Sequence, residues 1–173
     1  MMVENPRVLI AYASRTGSTA EVAASIAEEF RESDIAADVR AVTKVTDLAP
    51  YDAVIVGSGI RAGRMMPEAV TFLQLNQSAL SKIPVAYFVV CLTMREDTPE
   101  NREIVMNYIE PVLNKLPQIE PVNVGLFGGT MDYKKLPFVQ RVLVRMMRFA
   151  EGDYRDWNAI SNWAQAVRAQ MFG

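Results

Sequence analysis

Four short apolar runs, at residues 7–12, 53–57, 85–91 and 122–127, constrain the fold most. Each is about one strand long, is bounded by turn residues and is apolar at consecutive rather than alternate positions. Such runs belong to strands covered on both faces, the condition of a parallel sheet. A weaker strand is expected near 37–42. Between the runs lie helical patterns. Ala20, Ala23, Ile26, Ala27 and Phe30 form one stripe, and Thr98-Pro99 supplies a cap and a first-turn proline for a helix to about Leu116. A last helix over about 156–171 carries Trp157, Ile160, Ala164, Val167 and Met171 on one face. Five strands alternating with helices predict a doubly wound α/β sheet, with a ligand crevice at the carboxyl ends of the strands where the winding reverses.

Composition narrows the chemistry. At 173 residues and 50% hydrophobic content, residues 1–173 are expected to form one domain around one α/β core, with no repeat, low-complexity tract or linker. There is no histidine, which removes Ser-His-Asp and Cys-His catalysts and the common zinc sites; redox or group-transfer chemistry would need a bound cofactor. The one cysteine, Cys91, excludes an intramolecular disulfide and a Cys-x-x-Cys pair. A net charge of -2 argues against general nucleic-acid binding. Residues 1–6 carry no signal-sequence pattern, and no stretch of about 20 uncharged apolar residues occurs. The expectation is a cytoplasmic protein, or one peripheral to the inner face of the cell membrane.

The chemistry is expected to begin after the first strand. Ser14, Arg15, Thr16, Gly17, Ser18 and Thr19 stand between that strand and an amphipathic helix, with four hydroxyls in six residues. Free N–H groups at a helix start and the positive end of its dipole favour an anion, and glycine lets the backbone turn closely around it. An ordinary helix cap needs one hydroxyl rather than four, so a phosphate cradle is the better reading. No lysine-bearing P-loop is present. The spacing Ser-x-Thr-Gly-x-Thr resembles the flavin-phosphate loop of flavodoxin-like proteins, and that resemblance implies FMN.

Two further loops are expected at strand ends, Gly57-Ser-Gly-Ile-Arg-Ala-Gly63 and Cys91-Leu-Thr-Met-Arg95. The glycine spacing of the first does not fit a dinucleotide fingerprint, and no helix start follows it at once. With the phosphate loop and the stretch Glu151-Gly-Asp-Tyr-Arg-Asp-Trp157, these segments look like the short bacterial quinone-dependent protoporphyrinogen oxidases and their flavodoxin-domain relatives. The resemblance implies a flavodoxin-like five-stranded parallel sheet of order 2-1-3-4-5. It also implies that Ser14 to Thr19 hold the FMN phosphate, while Ser58, Gly59, Ile60, Arg61, Leu92 and Thr93 border the flavin ring. Small electron-carrier flavodoxins commonly place aromatic residues in those loops, whereas this chain has Ile60, Arg61, Leu92 and Thr93; Arg61, Arg64 and Arg95 suit an anionic substrate.

The segment 130–150 stands apart as an insertion. Residues 131–150 carry Lys134, Lys135, Arg141, Arg145 and Arg148 against one acid, Asp132, a local charge of +4. Arg141, Arg145 and Arg148 share one helical face, while Phe138, Val139, Val142, Leu143, Val144, Met146, Met147 and Phe149 cover most of the rest. A helix over 136–149 would be roughly 21 Å long, too short to span a bilayer core of about 30 Å. Two readings stay open: a helix at an anionic membrane interface, or one buried against the sheet or a partner subunit of a homo-oligomer. The expected activity is an FMN-dependent oxidoreductase passing electrons from a porphyrinogen to a quinone. The alternatives are a quinone or other small-molecule reductase and an electron-carrier flavodoxin.

Overall fold

The computed structural model describes residues 4–147 and 150–173. In chain order the elements are β1 (Arg7–Ala13), α1 (Ser18–Arg31), β2 (Ala36–Ala41), β3 (Ala53–Arg61), β4 (Arg64–Met65), α2 (Pro67–Leu75), α3 (Gln77–Leu80), β5 (Val85–Cys91), α4 (Pro99–Lys115), β6 (Val124–Gly128), β7 (Thr130–Met131), α5 (Phe138–Met146), β8 (Gly152–Asp153) and α6 (Trp157–Phe172). The main sheet runs β2-β1-β3-β5-β6 with every neighbour parallel, and β4 adds to β3 alone, antiparallel. Counting only the five parallel strands, this is the expected order 2-1-3-4-5. β7 and β8 form a separate antiparallel pair.

Strand periodicity divides the core between the two faces of the sheet. Leu9, Val54, Val56, Tyr87 and Val89 point to the face covered by α2 and α4, where Leu73, Val105 and Ile109 meet them. Val8, Ile10, Ile55, Ala86 and Phe88 point the other way, onto Val22, Ile26 and Phe30 of α1 and Ile160, Ala164 and Val167 of α6. Full burial of such side chains is worth about 1.5–3 kcal/mol each, and β5 is buried at every position. Gly57 sits opposite Phe88 in register, and a Cβ there would lie 2.0 Å from the Phe88 ring, so the ring lies over the glycine backbone.

Two expectations of local structure are corrected. The third strand does not stop at Gly57: it continues to Arg61 and turns back through Ala62 and Gly63, both at positive φ, into β4. Paired positive-φ residues make the tight turn whose twist suits a hairpin, so the supposed loop is a β-hairpin. The last main strand begins at Val124 rather than 122, because Val122 is left partly in water.

The 130–150 segment leaves the end of β6 and returns beside it. Tyr154 N–H donates to the Gly129 carbonyl at 3.0 Å, and a Cβ on Gly128 would lie 2.3 Å from the Tyr154 carbonyl oxygen. Within the excursion α5 ends at Met146, and Arg148 and Phe149 lie outside the described residues. No residue of α5 is buried; Phe138 and Met146 are 75% and 76% exposed. Burial against the sheet, one of the two readings of this helix, is therefore overturned. No described helix is long and apolar enough to cross a membrane.

Candidate functional site

The carboxyl ends of β1, β3 and β5 open onto one cavity of about 510 Å³, within the range of ordinary small-molecule sites. Its floor is the β1–α1 turn. Gly17 is the N-cap residue of α1, with φ of 92° and no side-chain cap, a backbone geometry that glycine alone adopts without strain. Its own N–H donates to Ser14 Oγ at 3.0 Å. The first helical bond runs from Glu21 N–H to the Gly17 carbonyl, which leaves the N–H groups of Ser18, Thr19 and Ala20 without an intrahelical acceptor. None of the four hydroxyls caps the helix. The ordinary-cap explanation of this hydroxyl-rich loop thus fails, and a set of convergent donors remains for an anion.

Nine of the twelve residues expected at the site line this cavity: Ser14, Arg15, Thr16, Ser18, Thr19, Gly59, Ile60, Arg61 and Leu92. Gly17 acts through its backbone turn and is not on the wall. Ser58 is fully buried; its Oγ accepts from Met66 N–H at 2.9 Å and donates to the Gly59 carbonyl at 2.7 Å. It therefore fixes Met66, itself a wall residue, instead of facing the cavity. Thr93 turns into a second cavity of about 520 Å³, which shares Ile60, Ala62, Cys91 and Leu92 with the first. Thr19 is 2% exposed, and its hydroxyl lies beside Gly59, joining the phosphate turn to the β3 hairpin.

The far wall was not expected. Gly129 to Asp132, Lys135, Leu136, Gln140, Leu143 and Val144 complete the cavity, so the excursion after β6 closes the site that the other strand ends open. Arg141 and Arg145 share one helical face, as expected, and both lie over Tyr133, while Arg148 lies outside the described residues. Arg141 donates to the carbonyls of Tyr133 at 2.9 Å and Leu136 at 3.2 Å, and the Arg145 guanidinium stands 5.3 Å from the Tyr133 ring centre. Both side chains fold back onto Tyr133 of the preceding turn, whose carbonyl also accepts from Leu136 N–H at 3.2 Å. Lys135 is on the cavity wall, and Lys134 remains on the outer surface.

The excursion is tethered by polar contacts. Glu151 accepts from Tyr133 N–H at 2.9 Å. Arg155, its side chain 10% exposed, pairs with Asp153 at 2.8 Å and with Glu21 of α1, and stacks over Trp157. Hydrogen bonds from Arg155 hold the Asp153 carboxyl below the usual range, against an opposing effect of burial. Cys91, on the wall, has its thiol pushed up by burial, partly offset by backbone bonds at Met94 and Thr93, and so stays protonated.

A donor-rich cradle and an apolar wall of Ile60, Met66, Leu92, Leu143 and Val144 match a ligand with a phosphate head and a flat apolar body. Among the described residues no group of three or more acidic, cysteine or histidine side chains could hold a metal ion. Residues 9–158 match the Flavodoxin domain family. The chain belongs to that family. With the flavodoxin domain goes FMN as cofactor, and the residues present fit it. This flavodoxin-domain chain is 26% identical over 172 residues to protoporphyrinogen IX dehydrogenase (quinone) of Escherichia coli strain K12, a match covering 93% of this chain and 94% of that one. It is 28% identical over 181 residues to the Leishmania major protein of the same name, covering 98% of this chain and 78% of the other. Its fold is similar to oxidised flavodoxin 1 from Bacillus cereus, with a TM-score of 0.60 at 15% identity over 94% of this chain and 97% of that one.

Proposed function

We propose that this flavodoxin-domain oxidoreductase oxidises protoporphyrinogen IX, or a porphyrinogen like it, and passes the electrons to a quinone, with the whole chain acting as one unit. The observation that carries the proposal is a cavity with a phosphate cradle at its base and an apolar upper wall edged by Arg61. Similarity over 93% and 98% of this chain to two proteins named for that reaction supports it.

Ser14, Thr16, Ser18 and Thr19 would hold the FMN phosphate through hydroxyls and the open N–H groups of α1, with Arg15 on that wall and Lys135 on the far wall adding positive charge. Gly59, Ile60, Arg61 and Leu92 would border the ring, with Ser58 keeping Met66 in place on the cavity wall and Thr93 facing the neighbouring cavity. FMN, when bound, supplies the two-electron chemistry, accepting a hydride equivalent from a reduced substrate and giving electrons to an acceptor. The chain itself then binds and orients. Arg61 attracts a carboxylate of the substrate, and Leu143 and Val144 keep water from the ring side of the cavity. The outward face of α5, with Phe138, Val139, Val142 and Met146 exposed beside Lys134, is proposed to rest on an anionic membrane surface.

The test is sequential. Apoprotein titrated with FMN should quench flavin fluorescence to saturation, and anaerobic mixing of the loaded protein with protoporphyrinogen IX should bleach the flavin absorbance until a quinone restores it. Bleaching by reduced nicotinamide but not by porphyrinogen favours a quinone reductase, and exchange only with redox proteins favours a carrier. Vesicles rich in anionic lipid should bind the protein less as salt rises, because exposed charge attraction is screened. A dimer that covers α5 and ignores vesicles would point to a partner subunit instead.

A further inference from the structure

Beyond the cofactor cavity, two hollows lie one on each side of a single aromatic ring. The second cavity, of about 520 Å³, reaches from Ile60 and Leu92 at the cofactor wall to Thr93, Arg95, Asn101 and Tyr108. On the other side of Tyr108 a groove of about 500 Å³ runs between α2 and α4, lined by Met65, Pro67, Val70, Tyr108, Pro111 and Val112. Arg64 and Lys115 stand at its rim, where their stems extend the apolar surface while their charges stay in water. Tyr108 is pressed against the tip of the β3–β4 hairpin, its Cε1 within 3.3 Å of where a Gly63 Cβ would be. The hairpin tip therefore divides a compartment rich in hydrogen-bonding groups, next to the candidate ring site, from an apolar one farther away.

This order of polarity selects an amphiphile with a compact polar head and an unbranched or lightly branched hydrocarbon tail. We propose that the paired hollows bind a prenylated quinone: the head in the Thr93–Tyr108 cavity against the cofactor wall, the tail past Tyr108 in the groove between α2 and α4. The proposal rests on a quinone being the electron acceptor, and adds where that acceptor sits and why it carries a tail. The quinone carbonyls meet donors of the head cavity, where Asn101 already fixes the turn by donating to the Glu96 carbonyl at 2.9 Å and Tyr108 offers a phenolic O–H. The tail meets hydrocarbon. A head alone gains nothing from the groove, whereas each methylene buried there tightens binding about fourfold.

The test compares two probes on FMN-loaded protein by titration calorimetry: a dimethoxybenzoquinone head, and the same head bearing a decyl chain. The decyl compound should bind at least about tenfold more tightly. Thr71→Glu and Pro111→Glu, both at exposed groove positions, place a carboxylate in the tail's path, and each should bring the ratio of decyl to head affinity toward one. Because the ratio is taken within one protein, a general loss of folding cannot mimic the result. Equal binding of the two probes by the parent, or a tail preference that both variants keep, overturns the groove while leaving a quinone-reducing function standing. Failure of both quinones to bind protein that does bind FMN overturns the groove and the quinone reading together.

Discussion

Two walls of one cavity are built by opposite means. The β1–α1 wall rests on the core: β1 is buried on both faces, Val22, Ile26 and Phe30 anchor α1 beneath the sheet, and the turn between them is set by one left-handed glycine. The wall from Gly129 to Val144 has no buried residue in its helix, and polar tethers at Tyr133, Arg141, Glu151 and Arg155 hold it. Packing and polar contacts differ in what they tolerate. A packed wall is insensitive to its surroundings but intolerant of added atoms, whereas a tethered wall accepts changes of side chain and opens at little cost. The side of the cavity formed by the β1–α1 turn is thus rigid, and the side formed by the excursion can yield.

The strongest way to break this contrast is at the phosphate. Thr16→Ala with Thr19→Ala removes two hydroxyls, each worth about 1.5–3 kcal/mol to a charged acceptor, so FMN affinity should fall by about a hundredfold or more in a fluorescence-quenching titration. An unchanged affinity would mean that the backbone N–H groups suffice. Next comes the packed side itself. Gly57→Ala drives a methyl into the Phe88 ring and should cost about 1–3 kcal/mol, read as a lower denaturation midpoint, while Gly59→Ala, where a Cβ meets only ordinary contacts, should stay within about 0.5 kcal/mol.

The tethered wall should respond locally. Arg155→Met removes an ion pair whose acidic partners are about half exposed, so solvent screening limits the loss to about 1 kcal/mol. Faster amide exchange over 130–146 with little change in global melting is the expected outcome, and a large fall in melting temperature would show that the excursion is part of the core. The smallest effect is on acidity. The Asp153 carboxyl is lowered in the folded state, so its contribution is complete above its unfolded value of about 3.9 and disappears as pH falls through the lower folded value. Exchange in the excursion should therefore quicken below about pH 4, and Asp153→Asn should remove that dependence.

What was legible in the sequence follows the same division. Where burial acts on consecutive residues, the pattern is plain: Val85–Cys91 is one strand end to end, and Thr98 caps its helix by accepting from Asn101 N–H at 3.1 Å. The stripe of α1 was visible too, although Val22 and not Ala20 is among its buried members. α2 escaped notice because it starts directly after a glycine-rich hairpin. Ala69, Phe72 and Leu73, spaced i, i+3, i+4 after Pro67, are the signal that could have found it. α5 defeated periodicity for another reason: Arg141 and Arg145 mark one polar face, but apolar residues cover most of the rest, so nothing in its spacing told the cavity side, with Gln140, Leu143 and Val144, from the outward side, with Phe138, Val142 and Met146. The turn after β5 falls at a strand end as expected, whereas residues 57–63 are the end of β3 and its hairpin, and it is that pairing with β4 that turns Ser58 away from the cavity.

The bond from Tyr154 to Gly129 has a consequence for how such a chain can diversify. The two ends of the excursion meet within one hydrogen bond at the rim of the sheet, and Gly128 leaves the returning strand room to pass. Residues spliced in or out between those points change only the closure entropy of a loop, about 0.6 kcal/mol for each doubling of its length, and leave the strand order beneath untouched. The site is thus a grafting point. A lineage can exchange one cover for another, and with it the molecules admitted, while the same sheet and the same β1–α1 turn stay in place.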